Sequence, residues 1–395
     1  MRKLTILAIT AFAAQASFAQ PGIPISEYKQ RMDRAITTGV PFLLISADAR
    51  AAGMGDIGTA SSPDAFSQQY NPAKYVFSKQ QQGFSISYTP YMAKLATDIS
   101  LAQLNYFNKF NDRSAFAASF RYFGMGEIDK TNDVGEYAGT EEPNEFAVDV
   151  SYGLKLSDRF SGAVAARYIS SNLITSDDRG EASANSFAVD IAGYYESEEM
   201  PMDGFDGKIR AGFNFQNLGP KISYAEGQED FLPSNLRLGG GFDFILDEHN
   251  KIATHIEFTK LLVPSRQMPE DLNNDGLISP DEVAANNRKY NETGWTSGLF
   301  KSFGDAPDGF GEELREFTWA IGAEYWYQDS FAFRLGYFNE AEDKGARKYA
   351  TLGAGFKYNV INLDVSYLFD MGGNTNPLDS TLRFSLTFNF GEKYY

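Results

Sequence analysis

Thr381-Leu382-Arg383-Phe384-Ser385-Leu386-Thr387-Phe388-Asn389-Phe390 alternates without a break. Leu382, Phe384, Leu386, Phe388 and Phe390 fall on one face, and Thr381, Arg383, Ser385, Thr387 and Asn389 on the other. A side-chain period of two belongs to a β-strand with unlike faces, because a helix repeats every 3.6 residues or so. The stretch Glu145–Leu156 reads the same way, with Phe146, Val148, Val150, Tyr152 and Leu154 opposite Glu145, Ala147, Asp149, Ser151 and Gly153. Ile361–Phe369 repeats it, with Asn362, Asp364 and Ser366 on the polar side.

Extending this reading outward predicts strands near 83–91, 97–109, 113–125, 144–156, 160–173, 184–196 and 207–218. Seven more follow near 234–246, 251–263, 314–327, 331–340, 347–358, 361–369 and 380–391, which makes 14. Most reach the length of about 9–11 residues that a tilted strand needs to cross a bilayer. The joints at 110–112, 157–159, 247–250, 328–330 and 359–360 are tight and rich in Asn, Asp and Ser, while the joint at 197–206 is longer. The connections between them, at 126–143, 174–183, 219–233, 264–313, 341–346 and 370–379, are mostly longer, and only the first, near 92–96, is short. Alternating short and long connections are the pattern of a barrel with periplasmic turns and external loops.

Alternation alone does not say which face meets lipid. Three features decide for the aromatic face: a leader, an even strand count, and a final strand that nearly ends the chain. Arg2 and Lys3 precede an apolar run from Leu4 to Ala14, and Ser17-Phe18-Ala19 offers the small residues of a signal-peptidase site. Residues 1–19 are therefore expected to be a signal peptide. After Ala19 no stretch approaches the ~18 apolar residues of a membrane helix, so spanning requires a closed barrel that satisfies every backbone polar group. Charged residues such as Asp149, Asp243, Asp364 and Arg383 then face the lumen. The expected fold is all-β: a 14-stranded antiparallel transmembrane β-barrel of the outer membrane over 83–395.

Composition narrows the function. The formal charge is −17, and loss of Arg2 and Lys3 with the leader takes it to −19. No basic patch for nucleic acid is to be expected on such a chain. There is no Cys, which removes disulfides, thiolate metal sites and thiol nucleophiles. The histidines are His249, near a tight turn, and His255, on a strand with Glu257 facing the same side. No Ser stands in a nucleophile motif beside them, so a polar lumen pair is the reading and no catalytic residue is assigned.

Residues 20–82 differ in texture. Ile23–Val40 is polar and suits a short helix, while Pro41–Phe77 is rich in Ala, Gly and Ser. Such a segment fits a periplasmic or plug-like piece folded into the barrel mouth. Gly53-Met54-Gly55-Asp56-Ile57-Gly58 has the spacing of a dinucleotide fingerprint but lacks the βαβ context, which leaves close backbone packing as its role.

Asp271-Leu272-Asn273-Asn274-Asp275-Gly276-Leu277-Ile278-Ser279-Pro280-Asp281-Glu282 matches a twelve-residue calcium loop. Asp271, Asn273 and Asp275 offer side-chain oxygens around one turn, Leu277 a carbonyl, Ser279 a hydroxyl or water, and Glu282 both carboxylate oxygens. Gly276 permits the sharp bend, and Ile278 packs underneath. The expected cofactor is a structural calcium ion in the long extracellular loop 264–313.

Ile45-Ser46-Ala47-Asp48-Ala49-Arg50-Ala51-Ala52-Gly53-Met54-Gly55-Asp56 and Tyr70-Asn71-Pro72-Ala73-Lys74-Tyr75 resemble the amino-terminal signature of the PorV family. These are outer-membrane barrels of the type IX secretion system in Bacteroidetes. The broader FadL-like superfamily shares a looser form, a Gly-rich segment followed by Asn-Pro-Ala. The resemblance implies a protein that binds the C-terminal signal domain of secreted cargo at the translocon barrel. It would then pass that cargo to a surface attachment complex containing the sortase PorU. It supplies no catalytic residues, and external loops 126–143, 219–233 and 264–313 are the positional expectation for partner contacts. The alternative is a FadL-like transporter of hydrophobic solutes or fatty acids, with Pro41–Phe77 as gate. An outer-membrane hydrolase is disfavoured by the missing triad.

Overall fold

The structure, a computed structural model, describes residues 22–93, 96–132, 134–177, 180–225, 228–372 and 378–391. The expected leader, 1–19, lies outside the described residues. The chain forms two compact units, one of residues 35–265 with 294–395 and one of residues 22–34 with 266–293.

The larger unit is the expected barrel. Its strands are β1 (Gln82–Pro90), β2 (Ile99–Lys109), β3 (Ser114–Met125), β4 (Asn144–Lys155), β5 (Phe160–Asp177), β6 (Gly180–Glu196) and β7 (Asp206–Leu218). They continue as β8 (Asn235–Ile245), β9 (Asn250–Leu261), β10 (Phe317–Tyr327), β11 (Phe331–Asn339), β12 (Lys348–Tyr358), β13 (Ile361–Asp370) and β14 (Leu382–Phe390). Each pairs antiparallel with its sequence neighbour, and β1 closes on β14 from Gln82↔Phe390 to Tyr88↔Phe384. No described helix is long and apolar enough to cross a membrane; the strands do so, and closure leaves no barrel edge unpaired in lipid.

The burial pattern inverts that of a soluble protein. In β14, Leu382 and Phe384 are 38% and 44% exposed, whereas Arg383, Ser385 and Thr387 are 1%, 2% and 5% exposed. Asp149, Asp243 and Asp364 are likewise buried. Apolar side chains point out all round the wall, which makes the protein an outer-membrane barrel. Ring pairs stand at both ends of the wall. Phe331 lies 5.1 Å from Phe356 near the short turns, and Trp319 lies 5.6 Å from Tyr337 towards the long loops.

Three connections hold more structure than their composition suggested. The expected loop 174–183 is mostly ladder, since β5 and β6 extend to Ile174↔Ala182 and Asp177↔Gly180. Ile128–Thr131 pairs with Tyr137–Glu141, and Ile222–Ala225 with Gln228–Asp230. Beyond the lipid both faces of a ladder meet water, so the pairing persists while the period-two signal disappears.

Inside the wall, residues 35–78 fold as short turns: a 3-10 helix Pro41–Leu44, helices Ala49–Ala52 and Ser67–Tyr70, and a second 3-10 helix Pro72–Phe77. Small residues bring this plug against the wall. A Cβ added to Gly322 of β10 would lie 2.6 Å from the Met54 carbonyl oxygen, and Gly55 has φ +77°, which glycine adopts without strain. The glycine-rich stretch thus serves close packing.

In the smaller unit, Ile23–Pro24 pairs antiparallel with Leu277–Ile278 (Ile23↔Ile278, Pro24↔Leu277), and the helices Ile25–Arg31 and Pro280–Asn291 follow those strands. Asn286 Nδ2 donates to the Gln267 carbonyl at 2.8 Å, and Arg266 stacks 4.6 Å over the Tyr290 ring.

Candidate functional site

The signature residues of the plug are the ones that fasten it. Asp48 caps Ala49–Ala52 by accepting from the Ala51 amide at 2.8 Å, and it accepts the Tyr70 hydroxyl at 2.5 Å. Tyr70 also bonds the Ser46 hydroxyl, which ties two plug turns together. Asn71 Nδ2 donates to the Gly193 carbonyl of β6 at 3.0 Å, and the Ala49 amide donates to Ser385 Oγ of β14 at 2.8 Å.

Arg50 is the main electrostatic tie. Its Nε and Nη2 reach the two Glu324 oxygens at 2.9 and 2.8 Å, and its Nη1 reaches Asp64 Oδ2 at 2.6 Å. Arg334 donates to Glu324 Oε1 and to Asp364 Oδ1, both at 2.7 Å. Two guanidinium groups and three carboxylates therefore form one buried network, in which the fork of Arg matches a carboxylate with both ends. Sequence reasoning placed Asp364 in the lumen but did not find this network. The one available signal was Glu324, a charge on the inward face of a strand otherwise fit for lipid.

His255 and Glu257 do not form the pair their shared face suggested. Glu257 Oε2 accepts the plug amides of Gly58 and Thr59 at 3.0 and 2.9 Å, and Oε1 accepts Arg237 at 3.2 Å. Both His255 ring nitrogens are buried without a hydrogen-bond partner among the described residues. With its carboxylate committed to the plug, Glu257 orients no imidazole.

The Asp271–Glu282 loop curls as its spacing requires. Asp271 Oδ2 accepts the Gly276 amide at 2.9 Å, Asn273 Oδ1 the Asp275 amide at 3.0 Å, and Asp275 Oδ1 the Leu277 amide at 2.8 Å. Gly276 has φ +80°, and Ile278 is buried. Ser279 and Glu282 form a reciprocal capping box on Pro280–Asn291, and Glu282 Oε1 also accepts the Leu272 amide at 2.7 Å. Hydrogen bonds from the Ser279 and Leu272 amides hold the Glu282 carboxyl below the usual range, so its contribution is lost only when acid titrates it. Among the described residues no three acidic or histidine side chains converge as a metal-holding group. Here the carboxylates are turned onto the loop's own amides.

Two outer connections expose large apolar side chains beyond the lipid band. Ile128, Val134 and Tyr137 stand out from the hairpin after β3, and Phe300, Phe303, Phe310 and Leu314 from the segment before β10. That second segment is held by Lys260, which reaches Glu313 at 2.7 Å and Glu316 at 2.6 Å, and by Lys344, 2.8 Å from Glu312. Asp305 lies beside this cluster and accepts the Ser265 amide at 3.1 Å. Burial, reinforced by Glu316 and Glu313, pushes its carboxyl up to about 6.

An acid raised on folding costs stability in full above its folded value, and that cost fades as pH falls from there to the ordinary value near 3.8. Asp305→Asn should therefore slow proteolysis within 294–316 relative to the parent at pH 8, and do so to a clearly smaller extent at pH 5. Equal cleavage of parent and variant at both pH values would remove Asp305 from the account.

The geometry supports a filled barrel with a structured outer surface. The fold is similar to the TodX deltaS2S3 mutant monoaromatic hydrocarbon channel (TM-score 0.50, 11% identity, 87% of this chain and 99% of that one). It is similar too to the CymD monoaromatic hydrocarbon channel (TM-score 0.50, 12% identity, 89% and 99%). The Ralstonia pickettii toluene transporter TbuX aligns at TM-score 0.49 with 13% identity, over 89% of this chain and 100% of that one. No curated protein matches the chain. The family model described as type IX secretion system protein PorV matches residues 28–268, a span that takes in the plug and the strands β1 to β9. Because that match covers more than half of the sequence and includes both stretches that fasten the plug, the chain belongs to the PorV family of type IX secretion system proteins.

Proposed function

We propose that this barrel binds the C-terminal signal domain of secreted cargo at the translocon barrel and delivers it to the surface attachment complex that contains the sortase PorU. The family match carries the reading. The plug supports it, since Arg50, Asn71, Gly58 and Thr59 tie it to the wall within the lumen and leave the outer loops as the working surface. Exposed apolar side chains on a soluble face mark contact sites, and Phe300, Phe303 and Phe310 with Val134 and Tyr137 are the ones offered here.

Deleting the gene and surveying the cell surface tests the role: many proteins bearing the C-terminal signal should vanish from it. Co-purification of cargo from detergent extracts is the quicker measurement. A normal surface proteome with impaired uptake of apolar solutes would favour transport instead. That second reading has one observation behind it, a cavity of about 90 Å³ lined by Ile36, Leu44, Leu261, Trp319 and Phe338 on one hand and by charged groups such as Arg237, Glu257, Glu340 and Arg347 on the other.

A calcium ion is proposed for the loop as a structural cofactor, with Asp271, Asn273, Asp275, Leu277, Ser279 and Glu282 as ligands once the carboxylates turn from the amides to the ion. Extracellular loops of this kind bind at about 10⁻⁴–10⁻³ M, so millimolar calcium should slow proteolysis within 264–313. Cleavage at the same rate in calcium and in chelator would discard the ion.

A further inference from the structure

We propose that the segment around residues 22–34 lies on the outer face of the membrane, and that the plug runs once through the whole lumen from its outer to its inner mouth. The contacts of the plug follow the wall in order. At the outer mouth, the Gly39 amide donates to the Phe231 carbonyl at 2.9 Å, within the connection between β7 and β8. There too Phe42 stacks 6.3 Å from Phe123, near the outer end of β3, and Val40 and Leu43 pack in the cluster that holds Leu101 and Ile169.

Halfway along, Ala49 bonds Ser385 in the middle of β14, and Gly58 and Thr59 bond Glu257 in the middle of β9. At the inner mouth, Ser161 Oγ donates to the Ala73 carbonyl at 2.7 Å, beside the first residue of β5. Tyr75 stacks 4.9 Å from Phe107, and Lys109, the last residue of β2, reaches the Ser78 carbonyl at 3.2 Å. β1 then begins at Gln82 on that inner side. The chain before Ala35 must accordingly leave through the outer mouth.

A second observation agrees independently. Ile23 pairs with Ile278, and the Ile25 amide donates to the Gly276 carbonyl at 3.3 Å. Leu277 and Ile278 belong to the connection between β9 and β10, which joins the outer ends of those strands. The plug is thus held at both mouths and cannot swing away as a hatch hinged at one end. The amino-terminal strand also completes the Asp271–Glu282 loop by pairing with its seventh and eighth residues.

The chain has no cysteine, so single cysteines report position directly. Gln30→Cys and Ser26→Cys test the proposal, with Val134→Cys on the outer hairpin and Asp158→Cys in an inner turn as references; all four sites are exposed. Intact cells are treated with a membrane-impermeant maleimide carrying polyethylene glycol, and heat-modifiable migration confirms a folded barrel for each variant. Gln30→Cys and Ser26→Cys should be labelled to the same extent as Val134→Cys, while Asp158→Cys reacts only after permeabilisation. Labelling at 26 and 30 only after permeabilisation would place the segment in the periplasm. Labelling only in denaturant would place it inside the lumen. Either result overturns the proposal.

Discussion

Glu324→Ala is expected to destabilise the barrel by about 3 kcal/mol, the lower end of what removal of one partner from a buried ion pair does. Glu324 is buried and joins Arg50 of the plug to Arg334 of the wall. Its loss leaves two buried guanidinium groups short of a partner, although Arg50 keeps Asp64 and Arg334 keeps Asp364. Those remaining partners are the reason for the lower figure. Urea unfolding in lipid vesicles measures the change. The double variant Arg50→Met with Glu324→Leu should recover part of it, because Arg334 still has Asp364, and Asp64, though it loses Arg50, keeps the Phe66 amide and the Ser67 hydroxyl. Non-additivity of about 1 kcal/mol or more is expected for groups that share a network. A single variant within about 0.5 kcal/mol of the parent, the range of an inert surface change, would show that the plug is held by its close packing alone.

This network also marks where the sequence stops being informative. Strands were legible because lipid on one side and a packed, polar lumen on the other impose strict alternation, as in Leu382–Phe390. The ladder at Ile174↔Ala182 was not, since the residues from 174 to 182 carry no period of two. Arg50 and Glu324 are 274 residues apart, and nothing local to either names the other. The pairing of Ile23–Pro24 with Leu277–Ile278 involves two residues on each side, too few to show a period. The calcium-type spacing of Asp271–Glu282 was readable because it depends on local chain geometry, and Gly276 at φ +80° is the bend that spacing demands. The signature stretches at 45–56 and 70–75 were readable only as a resemblance. Their physical meaning, that Asp48 accepts from Ala51 and Tyr70 while Asn71 donates to the wall and so fixes the plug, is visible only in the fold.

Leu335→Arg carries the other large effect, and it tests the assignment of faces on which the membrane reading stands. Leu335 is the central residue of β11, is 60% exposed, and is flanked in sequence by the buried Arg334. Outside the wall an arginine at the bilayer midplane costs about 2–4 kcal/mol, and the cost falls to about 0–1 near the interfaces. Arg334 tolerates its charge because Glu324 and Asp364 lie 2.7 Å away in the lumen; position 335 has no such partners on the lipid side. The variant should therefore fold less stably in vesicles by that amount, whereas the same change at Tyr358, at the inner end of β12, should be nearly silent. Were Leu335→Arg as stable as the parent in lipid, its side chain would be meeting water. The aromatic face would then be covered by something other than acyl chains. A gradient from position 335 to position 358 has no counterpart in a water-soluble barrel, where both sites would be equally wet.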